Sequence, residues 1–484
     1  MTEDMPGPAL VWFRRDLRLA DNPALTCAVR SGRPVLAVFV LEPLDGARSL
    51  GGASLWWLDK SLRALAASLE AIGGRLILRR GAAAVQIPSL AREVGAGLVC
   101  WNRLYDPALT ERDAELKAAL RAEGVEARSF NGALLNEPWT VKTGAGHPFK
   151  VFTPYWRAAS AQLGAVEVLP APDRLTVPHK LPQSEALDAW GLHPRAPDWS
   201  GGFDVWTPGE GGAQAQLGAF LATGLADYGR RRDLPAEGAG SHLSPHLHWG
   251  EISPRQVWVQ ARRRASHGGE ALKADLDRFL SELGWREFNH HLLFHLPDLA
   301  GANVRRQFDG FPWRRDPKAL AAWRSGRTGY PLVDAGMREL WATGFMHNRV
   351  RMVVASFLIK HLLIDWRRGE AWFWDTLVDA DLANNAANWQ WSAGSGADAA
   401  PFFRIFNPIA QGQKFDPSGA YVRRWVPELR RLPDAVIHAP WTADAAVLDR
   451  TGLRLGADYP NPIVDHAFAR ARALEALRAI TAEA

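Results

Sequence analysis

Apolar and polar positions follow two different patterns along the chain, and the change falls near residue 130. Before it, runs such as ALVWF at Ala9–Phe13 and VLAVFVL at Val35–Leu41 contain no polar residue. Such runs are typical of strands buried on both faces of a parallel sheet. Stretches with helical periodicity, such as 54–72 and 110–123, separate them. The pattern predicts an α/β, Rossmann-like N-terminal domain over residues 1–130, with further strands at 75–78, 97–101 and 125–130.

The rest of the chain has a different pattern. Prolines recur between residues 131 and 200 while periodicity is weak, so 131–200 is predicted to be an interdomain linker. From residue 201 the helical period dominates, and no alternation typical of strands persists. We therefore expect a large all-α C-terminal domain over residues 201–484. Its predicted helices are 213–227, 254–266, 273–295, 334–343, 346–363 and 370–379.

Composition narrows the class of protein. The 484 residues carry a formal net charge of +5 that is spread along the chain, so a DNA-binding surface is permitted but must be assembled by folding. The two cysteines, Cys27 and Cys100, cannot form a four-thiolate site or a disulfide framework, and no metal is expected. The apolar run 353–359 is too short to span a bilayer, and the start of the chain does not resemble a secretory signal. The sequence predicts a cytoplasmic protein without a membrane partner.

Tryptophan is unusually frequent, since the chain has 22 tryptophans, nine of them between Trp285 and Trp391. Packing explains most tryptophans in most proteins. A dense set in one segment also fits stacking on bases, stacking on a flat cofactor, or electron transfer. Counting alone leaves these alternatives open.

Four polar segments are candidate sites. On the predicted helix 273–295, Glu282, Trp285 and Asn289 share one face, although Glu282 and Arg286 also have the spacing of an exposed ion pair. MHNRVRM at 346–352 suits either a helix cap or the wall of a site. DADLANNAANWQW at 379–391 combines carboxylates, amides and indoles, as ligand walls do. Basic and then hydroxyl-rich residues at 228–235 and 240–245 suit phosphate.

Signatures of other chemistry do not appear. FRRDLR at 13–18 stands where a GxGxxG turn would follow the first strand, so no dinucleotide is expected at that turn. No P-loop, zinc motif or nucleophile with an adjacent base stands out. If the protein is an enzyme, a cofactor is expected to carry its chemistry.

Taken together, these segments resemble the photolyase and cryptochrome family over almost the whole chain. The matching segments are WFRRDLR at 12–18 with DNP at 21–23, LSPHL at 243–247, WREF at 285–288, TGYP at 328–331, MHNR at 346–349, 379–391, and FRIFNP at 403–408.

The resemblance implies that FAD is held in the helical domain. Tyr228, Ser241, Leu243 and Ser244 match its phosphate and ribityl contacts, although Gly240 stands where many relatives have threonine. The further cofactor contacts that the resemblance implies are Arg286, the pair Arg351 and Asp379, Asp381 at the flavin ring, and Asn385 facing flavin N5. It also implies a chain of tryptophans that reduces FAD, namely Trp389, Trp366 and Trp313.

The resemblance further implies light-dependent repair of UV-damaged DNA, in which one electron splits a cyclobutane pyrimidine dimer and then returns. The dimer must be flipped out of the duplex, at a cost of about a few kcal/mol. The residues that match the lesion site are Glu282, Trp285, Asn348, Met352 and Trp391, with Arg232 and Arg349 as DNA contacts.

Two alternatives within the family are a (6-4) photolyase and a cryptochrome, which senses blue light and repairs nothing. Asn348 and Met352 favour dimer repair, because (6-4) enzymes resemble this segment but have histidines at those places. Asn385 also favours repair, since plant cryptochromes tend to have aspartate there. Retention of Glu282, Trp285 and Trp391 argues against a pure sensor.

The N-terminal domain resembles that of bacterial class III photolyases, through GGASLWW at 51–57 and Glu42. This implies a methenyltetrahydrofolate antenna, with Glu42 at the pterin and Trp101 and Asn102 nearby. An 8-hydroxy-5-deazaflavin antenna is the alternative. A monomer is the default expectation.

Overall fold

The computed structural model describes residues 7–42, 48–266, 268–398 and 403–482. Its strands form one parallel sheet in the order β3-β2-β1-β4-β5. Ala9 pairs with Val35 on one side of the central strand and with Leu98 on the other. The predicted Rossmann-like sheet is therefore confirmed. The strands are β1 Ala9–Phe13, β2 Val35–Leu41, β3 Leu76–Arg80, β4 Leu98–Asn102 and β5 Glu126–Phe130.

Helices make up the remaining regular structure, and their starts follow local sequence signals. Asn22 accepts a hydrogen bond from the Leu25 amide (3.1 Å), and Pro23 then occupies the first helical position. Ser253 and Gln256 form a reciprocal capping box. The helices are α1 Pro23–Arg30, α2 Gly52–Ala71, α3 Ala83–Val94, α4 Pro107–Ala122, α5 Phe152–Gln162, α6 Glu210–Ala219, α7 Tyr228–Arg231, α8 Ser244–His248, α9 Pro254–Ala265, α10 Glu270–His295, α11 Pro317–Arg324, α12 Pro331–Thr343, α13 Asn348–Ser356, α14 Trp366–Thr376, α15 Leu382–Ala393, α16 Pro408–Phe415, α17 Ala420–Trp425, α18 Ala445–Thr451 and α19 His466–Ala482.

The structure differs from the predicted elements in several places. The predicted helix 213–227 is instead α6 followed by a π-helical turn, Phe220–Gly224. The predicted linker contains helix α5, whose aromatic residues pack on α10. The predicted helix 346–363 is instead α13 followed by a π-helical turn, Phe357–His361. Such a turn inserts a wider ring into a helix. The hydrophobic period does not reveal it, because every residue of the turn is buried.

Contacts divide the chain into two compact units. Unit 1 comprises residues 1–196, 206–223 and 241–297, and unit 2 comprises 197–205, 224–240 and 298–484. The units therefore do not follow the predicted domain boundaries along the sequence, since α8 to α10 cluster with the sheet.

Each unit has its own apolar core. In unit 1, Leu10, Val38, Ile77 and Val99 from four neighbouring strands pack with residues of α3 and α4. In unit 2, the core gathers residues of α12, α13 and α14 with aromatic rings such as Trp323. Among the described residues, no helix combines the length and the apolar character that crossing a membrane requires.

Candidate cofactor and DNA sites

The polar cluster of unit 2 lies on α13, on α15 and in the turn before α15. Arg351 Nη2 bonds both carboxylate oxygens of Asp379, at 2.9 and 3.1 Å, and its Nε donates to the Met346 carbonyl (2.7 Å). Asp379 is only 9% exposed, so water screens this ion pair weakly. The structure thus brings together a pair that the sequence separates by 28 residues.

Asn385 and Asp381 belong to the same cluster. Asn385 Nδ2 donates to the Glu370 carboxylate (2.7 Å) and carbonyl (3.0 Å), which leaves its Oδ1 as the acceptor for a further group. Asp381 caps α15 by accepting bonds from the Asn384 amide and side chain, at 2.9 and 2.7 Å. Both side chains are buried, and these hydrogen bonds within the protein fix their positions.

Glu370 was missed by the sequence analysis. It lies buried on α14, directly before the segment AWFW at 371–374, and its carboxylate accepts a hydrogen bond from Asn385, the residue predicted to face the flavin. A carboxylate next to several aromatic residues on a predicted helix could have indicated this contact, because a buried charge requires a partner.

The predicted lesion and DNA residues of unit 2 differ in exposure. Asn348 is exposed at the start of α13, whereas Met352 and Trp391 are half-buried. Arg349 pairs with Asp233 (2.9 Å), stacks on Phe415 (4.4 Å to the ring centroid) and approaches Met352 Sδ. These contacts hold Arg349 in place beside the exposed Asn348.

Arg232 and Tyr228 mark a second place in unit 2. The Arg232 guanidinium lies 5.5 Å from the centroid of the Tyr228 ring, at the short helix α7. Tyr228 is buried and Arg232 is half-buried. The Arg232 cation therefore lies next to Tyr228, which is a predicted contact of the FAD phosphates.

The predicted electron-transfer tryptophans also lie in unit 2. Trp389 and Trp366 are buried, and Trp366 Nε1 donates to Asn303 (2.9 Å). Trp313 is partly buried and packs on Phe311. Trp389 meets Trp323 edge-on at 6.3 Å, a further indole that the sequence analysis did not single out. Asn303 was likewise missed.

In unit 1 the predicted lesion residues Glu282 and Trp285 are half-buried on α10. The ring of Phe152 stacks face to face on Trp285, with centroids 3.8 Å apart. Arg286 donates to the Ala133 carbonyl (2.8 Å) and lies 3.6 Å from Glu287. Burial raises the pKa of Glu287 to about 7.

The hydroxyl-rich loop of unit 1 precedes α8. Gln216 Nε2 donates to the Ser241 carbonyl (3.0 Å), and His242 has a positive φ of 50°. Leu243 is buried while Ser244 is exposed at the first position of the helix. These contacts fix the loop backbone, and the Ser244 hydroxyl lies at the surface.

The predicted antenna residues lie at the carboxyl edge of the sheet. Trp101 is 1% exposed and packs on Trp12 in the core. Asn102 Nδ2 donates to Asp16 (2.6 Å) and Asn22 (2.8 Å). Trp101 Nε1 and Asn102 Oδ1 are buried without a hydrogen-bond partner among the described residues. The antenna contacts of both residues stay predictions. Glu42 is half-buried, pairs with Arg112 and accepts from the Ala83 amide (2.9 Å).

A groove of about 640 Å³ lies in unit 2 on α11, α12 and α14. Trp341 and Trp372 form part of its wall with rings 4° from parallel and centroids 5.9 Å apart. Arg324 lies 4.8 Å over the Trp372 ring. Its other lining residues are Pro317, Leu320, Ala321, Ser325, Met337 and Arg338. Within the described ranges, no group of three His, Cys, Asp or Glu side chains could hold a metal ion.

Comparison with known proteins matches both parts of the chain. Residues 9–173 match the family model described as DNA photolyase, and residues 279–479 match the FAD binding domain of DNA photolyase. The chain is 54% identical to the deoxyribodipyrimidine photo-lyase of Agrobacterium fabrum, over 98% of each chain. It is 42% identical to cryptochrome-1 of Arabidopsis thaliana, over 97% of this chain and 70% of that protein. A crystal structure of a bacterial class III photolyase from Agrobacterium tumefaciens matches with a TM-score of 0.95 at 53% identity, over 98% of each chain.

Proposed function

Since this chain belongs to the photolyase and cryptochrome family, we propose that it is a light-dependent DNA repair enzyme that splits cyclobutane pyrimidine dimers. The full-length similarity to a deoxyribodipyrimidine photo-lyase carries this proposal. Retention of Glu282, Trp285 and Trp391 supports it, because these residues match the lesion site of repair enzymes.

FAD is the cofactor that the family model implies, and the donor set of unit 2 fits it. Asn385 has its Nδ2 bound to Glu370, so its Oδ1 can accept the hydrogen that N5 of a reduced flavin donates. Arg351, which is held by Asp379, would supply a cation near the flavin ring as that ring gains electrons. The other proposed FAD contacts are Tyr228 and Asp381 of unit 2 and Ser241, Leu243, Ser244 and Arg286 of unit 1.

When bound and fully reduced, FAD supplies on light absorption the electron that no side chain provides. The protein's own residues then bind the dimer and stabilise the charge it acquires. Trp285 and Trp391 offer aromatic surface to the flipped bases. Glu282 is proposed to hydrogen-bond a base as negative charge develops. Asn348 and Met352 complete the proposed lesion contacts, and Trp389, Trp366 and Trp313 are proposed to return FAD to its reduced form.

DNA binding is proposed to depend on Arg232 and Arg349. Contacts of arginine with phosphate release counterions, so affinity should fall as salt rises. Arg349 is held by Asp233 and by Phe415, which preorganises it for such a contact.

Blue-light sensing is the alternative function, because the cryptochromes of plants are also close relatives. Asn385 distinguishes the two functions, since plant cryptochromes tend to have aspartate at this place. A (6-4) photolyase is a second alternative, against which Asn348 and Met352 argue.

A methenyltetrahydrofolate antenna is proposed from the class III resemblance, with 8-hydroxy-5-deazaflavin as the alternative. Glu42 is the contact we would test first. Absorbance of the purified protein beyond that of FAD, lost in Glu42→Gln, would support the proposed location. Loss in Trp341→Ala, with Glu42→Gln unchanged, would instead place the antenna in the groove of unit 2. A cytoplasmic monomer stays a prediction from the sequence.

The test of repair uses an oligonucleotide with one thymine cyclobutane dimer, incubated with the protein and a reductant under blue light or in darkness. Recovery of intact thymine only in light is expected, and Glu282→Ala and Trp285→Ala should slow it. Trp139→Ala removes an exposed indole of unit 1 and serves as the matched control. Absence of recovery with bound, fully reduced FAD would contradict dimer repair. Recovery from an oligonucleotide with a (6-4) product would then support the second alternative.

A further inference from the structure

We propose that Phe152, on helix α5, is a positioning residue for lesion binding, because it covers one face of Trp285 and fixes the plane of its indole. This inference rests on the proposed function, in which Trp285 contacts the dimer. Phe152 lies in the segment predicted to be a linker, and neither its pattern nor its spacing marked it as part of a site.

The geometry of the pair carries the proposal. The rings of Phe152 and Trp285 are stacked, with centroids 3.8 Å apart and planes only 9° from parallel. Phe288 meets Phe152 and Trp285 edge-on, each at 6.0 Å. One face and one edge of the indole are thereby occupied by protein. A flipped base can stack only on the opposite face of Trp285.

Helix α5 is seated so that this stack forms. Trp156 lies directly against Gly284, where a Cβ atom would come within 2.5 Å of the indole carbon Cδ2. Trp156 also meets Trp258 edge-on at 6.0 Å. The absence of a side chain at Gly284 therefore lets α5 approach α10 closely, one residue before Trp285.

A second contact fixes the rotation of α5. Tyr155 is buried and packs on Phe288 (5.1 Å) and His291 (4.9 Å) of α10. Because Tyr155 and Trp156 both anchor α5 on α10, the helix holds Phe152 against Trp285. A half-buried indole held in this way loses little rotational freedom when a base binds, which improves affinity.

The expected consequence concerns binding and not the chemical step. Ordering one side chain on binding costs about 0.5–1.5 kcal/mol, so an indole that is already held should bind the dimer up to about tenfold more tightly than a free one. Phe152→Ala frees one face of Trp285 and lets the indole rotate. Phe152→Tyr keeps the stacked ring and should keep the affinity.

The experiment measures the dissociation constant for an oligonucleotide with one dimer, for the undamaged oligonucleotide, and the repair rate of the saturated complex. We expect Phe152→Ala to weaken dimer binding by about three- to tenfold. Undamaged DNA binding, FAD absorbance and the saturated repair rate should stay within about twofold of wild type. Thr153→Ala, at the exposed next residue of α5, is the control that should match wild type.

Gly284→Ala provides a second variant, because its added Cβ would push Trp156 and α5 away from α10. It should weaken dimer binding in the same selective way. Unchanged dimer affinity in Phe152→Ala would overturn the proposal. So would an equal loss of affinity for damaged and undamaged DNA, or a loss of bound FAD, because either would show a structural role only.

The wild-type protein separates this inference from the proposed function. If wild type neither prefers nor repairs the dimer, the repair function fails. If wild type repairs the dimer and Phe152→Ala behaves identically, only the role of Phe152 fails.

Discussion

The carboxyl edge of the sheet in unit 1 and the polar cluster on α13 to α15 in unit 2 are both rich in charged side chains, but their charges have different partners. At the edge, Arg14 pairs with Asp113 (2.7 Å), bonds the Asn102 carbonyl and lies over Trp12. Arg112 pairs with Asp113 and with Glu42. In the cluster of unit 2, by contrast, Arg351 and Asp379 pair with each other, and Asn385 donates to the Glu370 carboxylate.

The edge is where parallel α/β sheets usually bind ligands, at the point where the strand order reverses between β1 and β4. In this chain, side chains at the ends of β1, β2 and β4 hydrogen-bond one another and residues of α4 there, while Arg14 Nε and Asn102 Oδ1 have no partner among the described residues. The difference teaches that charged side chains at a fold's customary ligand edge can pair with one another, while the residues proposed to bind FAD lie in a helical region without a phosphate motif.

The largest expected effect tests the edge. Arg14→Met leaves Asp113 short of one of its two arginine partners in a buried place, so we expect the free energy of unfolding to fall by about 3 kcal/mol. FAD content should stay unchanged. Thermal or urea unfolding with flavin absorbance measures both quantities. Loss of a bound chromophore without loss of stability would show that the edge is a ligand site.

Removal of the buried amine of Lys360 in unit 2 should have the opposite effect and raise the free energy of unfolding. Lys360 donates to the Arg404 carbonyl (2.5 Å), and burial lowers its pKa from 10.5 to about 7. Between these values the unfolded state binds more protons, so stability should rise with pH across the window from about 7 to 10.5.

We expect Lys360→Met to remove this rise, which is about 1.4 kcal/mol per pH unit within the window. Urea unfolding at several pH values compares the two slopes. The variant should also be more stable than wild type at pH 7, because the cost of burying the amine is gone. Parallel pH profiles for the two proteins would contradict the lowered pKa.

Breaking the ion pair in the cluster of unit 2 should weaken the binding of FAD. Arg351→Met leaves the Asp379 carboxylate buried without its arginine, which we expect to weaken FAD retention by about 2 kcal/mol, or roughly thirtyfold. The matched control is Arg454→Met, which breaks an exposed pair with Asp458 and should change stability by less than about 1 kcal/mol. Flavin release during dialysis compares them, and equal retention would remove Arg351 from the proposed site.

The smallest effect concerns packing beside Trp389. A Cβ atom at Gly369 would lie 2.1 Å from the Trp389 ring, so Gly369→Ala should displace that indole and cost about 1–2 kcal/mol. Photoreduction of bound FAD should slow. Gly218→Ala is the control, because nothing lies within 4 Å of its added Cβ. Unchanged photoreduction in Gly369→Ala would argue against Trp389 as the first electron donor.

Much of the fold was determined by the sequence alone. The uninterrupted apolar runs of β1 and β2 predicted a parallel sheet, because only burial on both faces tolerates such runs. The motifs at 346–349 and 379–391 predicted the polar cluster of unit 2. The sequence also placed Trp285 on a helix, as α10 confirms.

Only the tertiary structure decided which of these residues have partners. Spacing cannot show that Glu370 holds Asn385, that Phe152 covers Trp285, or that Asn102 donates to Asp16, because these contacts join residues far apart in the chain or on different elements. A local pattern records how one segment meets water or the core. The direction of a hydrogen bond or a ring face depends on the neighbouring segment, which only folding brings into contact.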